Sequence, residues 1–217
     1  MDIKIAVTPV GPLQMNSVLL TGQGPDGPEA ILIDPGEEAE RLLAMIAASG
    51  ARLTTLLATH GHFDHIGAAA AVQAVHDLPL RCHADDLPFI ENLQQIQASY
   101  GFPPTPVPRC LPDLVDGGEV EFAGGTLAVR HVPGHSPGQV MFHFMDEGSG
   151  VYHAIVGDCL FSGSIGRTDL PGGDFATLEK SIRERIYTLP DETVVIAGHG
   201  PDTTVGREKD SNPFVRP

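Results

Sequence analysis

Apolar residues in this chain come in short runs that end at glycine, proline or a charged side chain, and their spacing predicts short strands and helices. Residues 3–10 alternate enough for a strand, Gly11-Pro12 turns the chain, and residues 16–21 read as the partner strand. Residues 22–29 are turn formers and predict a loop. Residues 30–34 form an apolar run for a buried strand that closes in Asp34-Pro35-Gly36. Leu42, Leu43, Met45 and Ile46 have helical spacing within 37–49, and Gly50 ends that helix. A buried strand over 53–58 precedes a helix over 66–75 and a short strand over 78–83. Residues 85–100 predict a helix opened by acidic residues, which suits the positive end of its dipole. Residues 101–112 are proline-rich and irregular, as a lid or crossover would be.

The second half is dense in strands, over 119–123, 126–132, 140–144 and 151–156, with glycine pairs at 117–118 and 124–125. A helix over 174–187 carries Phe175, Leu178, Ile182 and Ile186 on one stripe, and 193–197 is a last buried strand. Both halves run from strands to helices with polar loops at strand ends. That predicts one layered α/β domain spanning residues 1–217.

The candidate chemistry sits at those strand ends. Thr59-His60-Gly61-His62-Phe63-Asp64-His65 places four metal-ligand side chains just after a buried strand and before a helix. His60 and His62, two apart, point the same way on an extended backbone, while Asp64 and His65 fan apart as the chain turns helical. One metal could take the first pair and a second metal the other two. Three more loops repeat the pattern: Pro133-Gly134-His135-Ser136-Pro137-Gly138, Gly157-Asp158-Cys159 and Gly198-His199-Gly200. Each alone reads as an ordinary glycine-rich turn. Two metals need six or seven ligands plus water, and His135, Asp158 and His199 bring the first loop's four to seven. Asp34 reads equally as a turn former and as a carboxylate behind the metal loop. His76, His83, His143 and His153 read as packing or surface residues, with His131 the best placed to support a ligand.

Composition narrows the function. Hydrophobic residues make up 41% and charged residues 19%, which is globular, and the formal charge of −15 argues against nucleic acid or an anionic membrane as main partner. An anionic substrate then needs local cations or metal. Cys82, Cys110 and Cys159 form no disulfide framework, and no apolar run approaches the ~20 residues of a membrane span. The first residues lack the layout of a signal peptide, so a cytoplasmic location is expected.

In these motifs the sequence resembles the metallo-β-lactamase superfamily nearly end to end. The resemblance implies a four-layer αββα sandwich with metals at one edge. It implies one metal on His60, His62 and His135, a second on Asp64, His65 and His199, and Asp158 bridging. Within the superfamily the chain is similar to the glyoxalase II group, hydroxyacylglutathione hydrolases, in a short form without the C-terminal helical extension. Supporting stretches are Gly157-Asp158-Cys159-Leu160-Phe161, Gly166-Arg167-Thr168-Asp169, Gly198-His199-Gly200-Pro201-Asp202-Thr203-Thr204 and Asn212-Pro213-Phe214. Arg167, Arg207 and Lys209 are the local cations for a substrate carboxylate. One subclass of zinc β-lactamases carries cysteine where Asp158 stands. Cys159, next to that position, points the other way, which argues against β-lactamase activity and for a small buried residue.

The expected activity is hydrolysis of a small acyl thioester such as S-lactoylglutathione, by a hydroxide shared between two divalent ions, zinc first and iron or manganese next. Asp64 and Asp158 are the carboxylates expected to act in catalysis. A rival reading is a persulfide dioxygenase with a single Fe(II) on His60, His135 and Asp158. A non-catalytic metal-binding domain ranks third, because glycine neighbours leave the ligand loops open.

Overall fold

Alternate residues of a strand face opposite sides of a sheet, and in this chain both sides of the central strands are apolar. Such strands must be covered on both faces. The computed structural model describes residues 1–217 and shows how this is done. One six-stranded sheet runs, in spatial order, β1 (Ile3–Val10), β2 (Met15–Gly24), β3 (Gly27–Ile33), β4 (Arg52–Leu57), β5 (Leu80–Arg81) and β6 (Cys110–Leu111). The first three strands pair antiparallel and the rest parallel. The second sheet runs β14 (Thr203–Thr204), β13 (Val194–Ala197), β10 (Val151–Gly157), β9 (Val140–Asp146), β8 (Gly125–His131) and β7 (Glu119–Phe122), antiparallel except where β10 meets β13. A small ribbon, β11 (Leu160–Phe161) with β12 (Ser164–Ile165), lies beyond β10.

Strand parity sorts the core into three apolar layers. Leu20, Ile31, Ile33 and Leu57 meet Leu127, Phe142 and Ile155 between the sheets. Their neighbours Leu19, Leu32 and Leu56 face outward onto Leu42 and Ile46 of α1 (Ala39–Ser49) and Val72 of α3 (Ala69–His76). On the other sheet Met141, Ala154, Val156 and Val195 pack on Leu178 of α6 (Phe175–Ser181), on Ile182 and Ile186 of the π-helical turn after it, and on Val205 of α7 (Val205–Ser211). Helices, sheet, sheet and helices make a four-layer αββα sandwich. No helix is long and apolar enough to cross a membrane.

The differences from the sequence reading lie at element ends. The stretch 22–29 is a tight hairpin rather than a loop: β2 and β3 stay paired as far as Gly24 and Gly27. The helix expected over 66–75 starts earlier and breaks, as α2 (Phe63–Ile66) and α3. The one expected over 85–100 divides into α4 (Leu87–Glu91) and α5 (Leu93–Ser99) at Asn92, whose side-chain amide donates to the Pro88 carbonyl at 2.8 Å and competes with the helical backbone. The strand expected over 78–83 keeps only two residues of ladder, and α7, capped by the Thr204 hydroxyl, forms where the apolar spacing predicts no element.

Phe142 sits wholly buried between the sheets, whereas Met145 on the same strand is 43% exposed. Urea unfolding of Phe142→Ala should show a loss of about 3–5 kcal/mol, and Met145→Ala should stay within about 0.5 kcal/mol of the parent. Equal effects would contradict this layering.

Candidate metal centre

The sheets converge on one edge, and the backbone sews them together there. The Val140 N–H donates to the Thr59 carbonyl at 2.8 Å and the Asn16 N–H to Gly198 at 2.7 Å, while within the second sheet the Gly198 N–H donates to Gly157 at 2.8 Å. The Asn16 side-chain amide adds bonds to the Ala197 and Gly200 carbonyls at 3.0 and 2.9 Å. The chain thus leaves β4 at His60, β10 at Asp158 and β13 at His199 side by side, with His135 entering from the β8–β9 connection. His62 still has extended backbone, and α2 begins at the next residue, so Asp64 and His65 project from a helical turn. Position 198 must be glycine, since a Cβ there would run into the Asp158 carboxylate and the His65 ring.

All seven predicted residues meet. The His62 Nδ1 stands 3.1 Å from His60 Nε2 and 2.8 Å from His135 Nε2. The His199 Nε2 stands 3.2 Å from Asp64 Oδ2, and His65 Nε2 lies 3.8 Å from that same oxygen. Asp158 lies between the two sets, with Oδ1 at 3.3 Å from His65 Nε2 and Oδ2 at 3.6 Å from both His135 Nε2 and His199 Nε2.

Outer partners orient four of the five rings. His135 Nδ1 donates to the Arg167 carbonyl at 2.8 Å, and His199 Nδ1 to the Leu13 carbonyl at 3.0 Å. His65 Nδ1 bonds to Asp34 Oδ2 at 2.9 Å. The Thr59 hydroxyl donates to the same Asp34 oxygen at 2.8 Å, which leaves it an acceptor for His60 Nδ1 at 3.0 Å. With Nδ1 of each engaged outward, the Nε2 lone pairs of His60, His65, His135 and His199 face inward. Asp34 therefore acts behind the metal loop as well as in its turn, and its carboxylate also takes the Thr59 N–H at 2.7 Å.

The electrostatics divide the cluster. Burial, then His135 and His65, press His62 down to about 3, and burial followed by the neighbouring imidazoles holds His60 well below its ordinary value. These rings are neutral, the form a metal needs. Burial opposes charge on Asp158, yet His65 and then His135 and His199 outweigh it and keep this carboxylate well below its usual range. Burial likewise disfavours a proton on His65, but Asp158, Asp34 and Asp64 prevail and raise it.

The donor set fits two cations. His65 Nε2 and Asp158 Oδ1 are buried and lack hydrogen-bond partners despite lying 3.3 Å apart. With His65 in the neutral form that ligation requires, they are two facing lone pairs. Imidazole nitrogens and carboxylate oxygens suit zinc, iron and manganese. The sets His60, His62, His135 and Asp64, His65, His199 each gather three ligand atoms close enough for one ion.

The remaining predicted residues scatter. Arg167 joins the site through its carbonyl, while its guanidinium forms an exposed pair with Asp169 at 2.8 Å. No hydrogen bond or ion pair joins Arg207 or Lys209 to the cluster, and Lys209 is paired with Asp191 at 2.6 Å on α7. Cys159 is buried in the outer core, its thiol raised by burial and then by Asp158. His131 does not touch a cluster ring: it bonds the Pro137 carbonyl at 2.8 Å and stacks on His83 with centroids 4.3 Å apart. The sequence reading missed Asn16 and Thr59. A polar side chain at the edge of a buried strand was the available signal for both.

A profile described as the metallo-beta-lactamase superfamily matches residues 10–199. The hydroxyacylglutathione hydrolase GloC of Haemophilus influenzae is 38% identical over 217 residues, covering 98% of each chain. Two crystal structures superpose over nearly the full length. The BLEG-1 B3 metallo-beta-lactamase is 37% identical with a TM-score of 0.84, covering 98% of this chain and 99% of its own. TTHA1623 in a di-iron-bound form is 41% identical with a TM-score of 0.83, covering 97% and 100%. With the αββα sandwich and a histidine–aspartate cluster at its sewn edge, these matches leave one assignment: the chain belongs to the metallo-beta-lactamase superfamily.

Proposed function

We propose that this metal-dependent hydrolase cleaves a small acyl thioester of the hydroxyacylglutathione type. The observation that carries the reading is Asp158 lying between two complete three-ligand sets. His60, His62 and His135 would hold one divalent ion, Asp64, His65 and His199 a second, with Asp158 shared. Such ions supply Lewis acidity and acidify a water so that it ionises near neutrality. The thioester preference is supported by the full-length likeness to GloC, and the use of two ions by the di-iron form of TTHA1623.

The protein's own groups have distinct tasks. Asp34, through Thr59 and His65, holds the ligand loop in one tautomeric arrangement. The Asp64 and Asp158 carboxylates are ionised and face the reacting volume, where they orient a water and accept its hydrogen bonds. Phe89 stands edge-on to His62 and Phe161 edge-on to His199, so apolar rings flank both sets and limit water at the reacting carbonyl. Arg167, whose carbonyl holds His135 and whose guanidinium is paired with Asp169, would be the cation to exchange that partner for a substrate carboxylate that the net charge of −15 otherwise repels. No serine or cysteine nucleophile is needed, and the raised thiol of Cys159 is not available as one.

Zinc-, iron- or manganese-loaded protein should hydrolyse S-lactoylglutathione and shorter acyl thioesters in steady-state assays. Absence of thioester turnover with all three metals would overturn the reading. Faster turnover of a β-lactam, or oxygen uptake with a persulfide, would redirect it to the other activities considered. Arg167→Ala should raise KM for the glutathione thioester several-fold and leave kcat within about twofold, as loss of uniform binding does. An equal rise from the double variant Arg207→Ala/Lys209→Ala would move the anchor to α7.

Asp158→Ala should lose metal from both sets, measured by elemental analysis, and drop turnover by well over about 100-fold. Two retained equivalents with near-normal rate would remove Asp158 from the bridge. Cys159→Ala should cost about 1 kcal/mol in stability and leave kcat/KM unchanged. A hundredfold rate loss, about 2.7 kcal/mol, would bring the sulfur into the site.

A further inference from the structure

Asp86 is wholly buried, and neither the seven-residue cluster nor the chemistry above uses it. Its Oδ2 accepts from the Gly61 N–H at 2.8 Å and from the Ser136 hydroxyl at 2.8 Å, and its Oδ1 accepts from the Gly138 N–H at 2.7 Å. Gly61 separates His60 from His62, and Ser136 follows His135. One carboxylate is thus bonded beside all three histidines of one set, across two loops far apart in sequence. The loops are shaped to receive it: a Cβ at position 61 would lie 2.9 Å from the Asp86 carbonyl oxygen, and one at 138 would lie 2.7 Å from its nitrogen. No Lys or Arg pairs with Asp86, so these three bonds, with His83 nearby, offset the cost of burying the carboxylate.

We infer that Asp86 is a positioning residue. It sets the spacing of His60 and His62 against His135, and with it the affinity of the ion that this set holds, without touching ion or substrate. The inference rests on the dinuclear reading. The other set is oriented separately, by Asp34 on His65 and by the Leu13 carbonyl on His199, and makes no bond to Asp86. The damage from losing Asp86 is therefore confined to one ion. Asparagine is the informative replacement, because its single carbonyl oxygen can serve only one side. Its NH2 must then face the Gly61 or the Gly138 N–H, donor against donor, and one loop is released.

The test is cadmium-113 NMR with chelator competition on the full chain loaded with two ions, each resonance assigned with His135→Ala and His199→Ala. Asp86→Asn should weaken the ion of His60, His62 and His135 by about 10–100-fold and leave the other within about threefold. Ser136→Ala, which keeps both N–H bonds, should weaken the same ion by less. In metal-free protein Asp86→Asn should speed hydrogen exchange of the Gly61 or Gly138 amide. Loss at both ions alike, or at neither, would overturn the positioning role. Should Asp86→Asn fail to fold, Ser136→Ala decides by the same selectivity. A wild-type chain that binds fewer than two ions would overturn the dinuclear reading and this inference with it, whereas two tight ions in wild type with unselective variants would overturn only the inference.

Discussion

His62 Nδ1 stands 3.1 Å from His60 Nε2 and 2.8 Å from His135 Nε2, and the outer hydrogen bonds of His60 and His135 turn their lone pairs toward the same small volume. Lone pairs so close repel one another unless a proton or a cation lies between them. The surrounding structure is arranged to hold this arrangement. Asp34, Thr59 and the carbonyls of Leu13 and Arg167 engage the outward nitrogens, and the cross-sheet bonds of Asn16 and Thr59 keep the strand ends from spreading. The rigidity comes from the three apolar layers behind, since loops alone could not hold seven polar groups in fixed positions.

Charge works on two scales. The chain as a whole is strongly acidic, which repels anions at long range. Within the cluster the order reverses with distance: Asp34, Asp64 and Asp158 favour positive charge at His65, while crowding and burial keep His60 and His62 neutral. Phe89 stands edge-on to His62 and Phe161 edge-on to His199, so apolar walls lie beside this charged cluster.

Strands with strong apolar runs, such as 30–34, 53–58, 151–156 and 193–197, are legible because short apolar runs between turn formers fit a largely buried strand. Elements whose existence depends on a neighbour were not. The two-residue strands β5 and β6 are defined by their ladders alone, and the split at Asn92 reflects one side-chain amide competing with the backbone. In the site, the seven histidine and aspartate positions stood out because glycine loops carrying metal-ligand residues recur at strand ends. Arg207 and Lys209 stand out in the sequence by charge alone, and charge does not say where a side chain points or, for Lys209, that Asp191 already pairs with it.

What the sequence determined by itself is therefore the inventory: strand and helix order, the layered class, and the residue types able to hold metal. These follow from local spacing, which any stretch of chain carries with it. Tertiary structure decided the pairing: which histidine faces which, that Asp158 lies between the two sets, that Cys159 turns into the outer core, and that Asp86 ties two distant loops. Those relations depend on where strand ends meet across the two sheets. No local pattern encodes that meeting, because it is set by the packing of all three layers together.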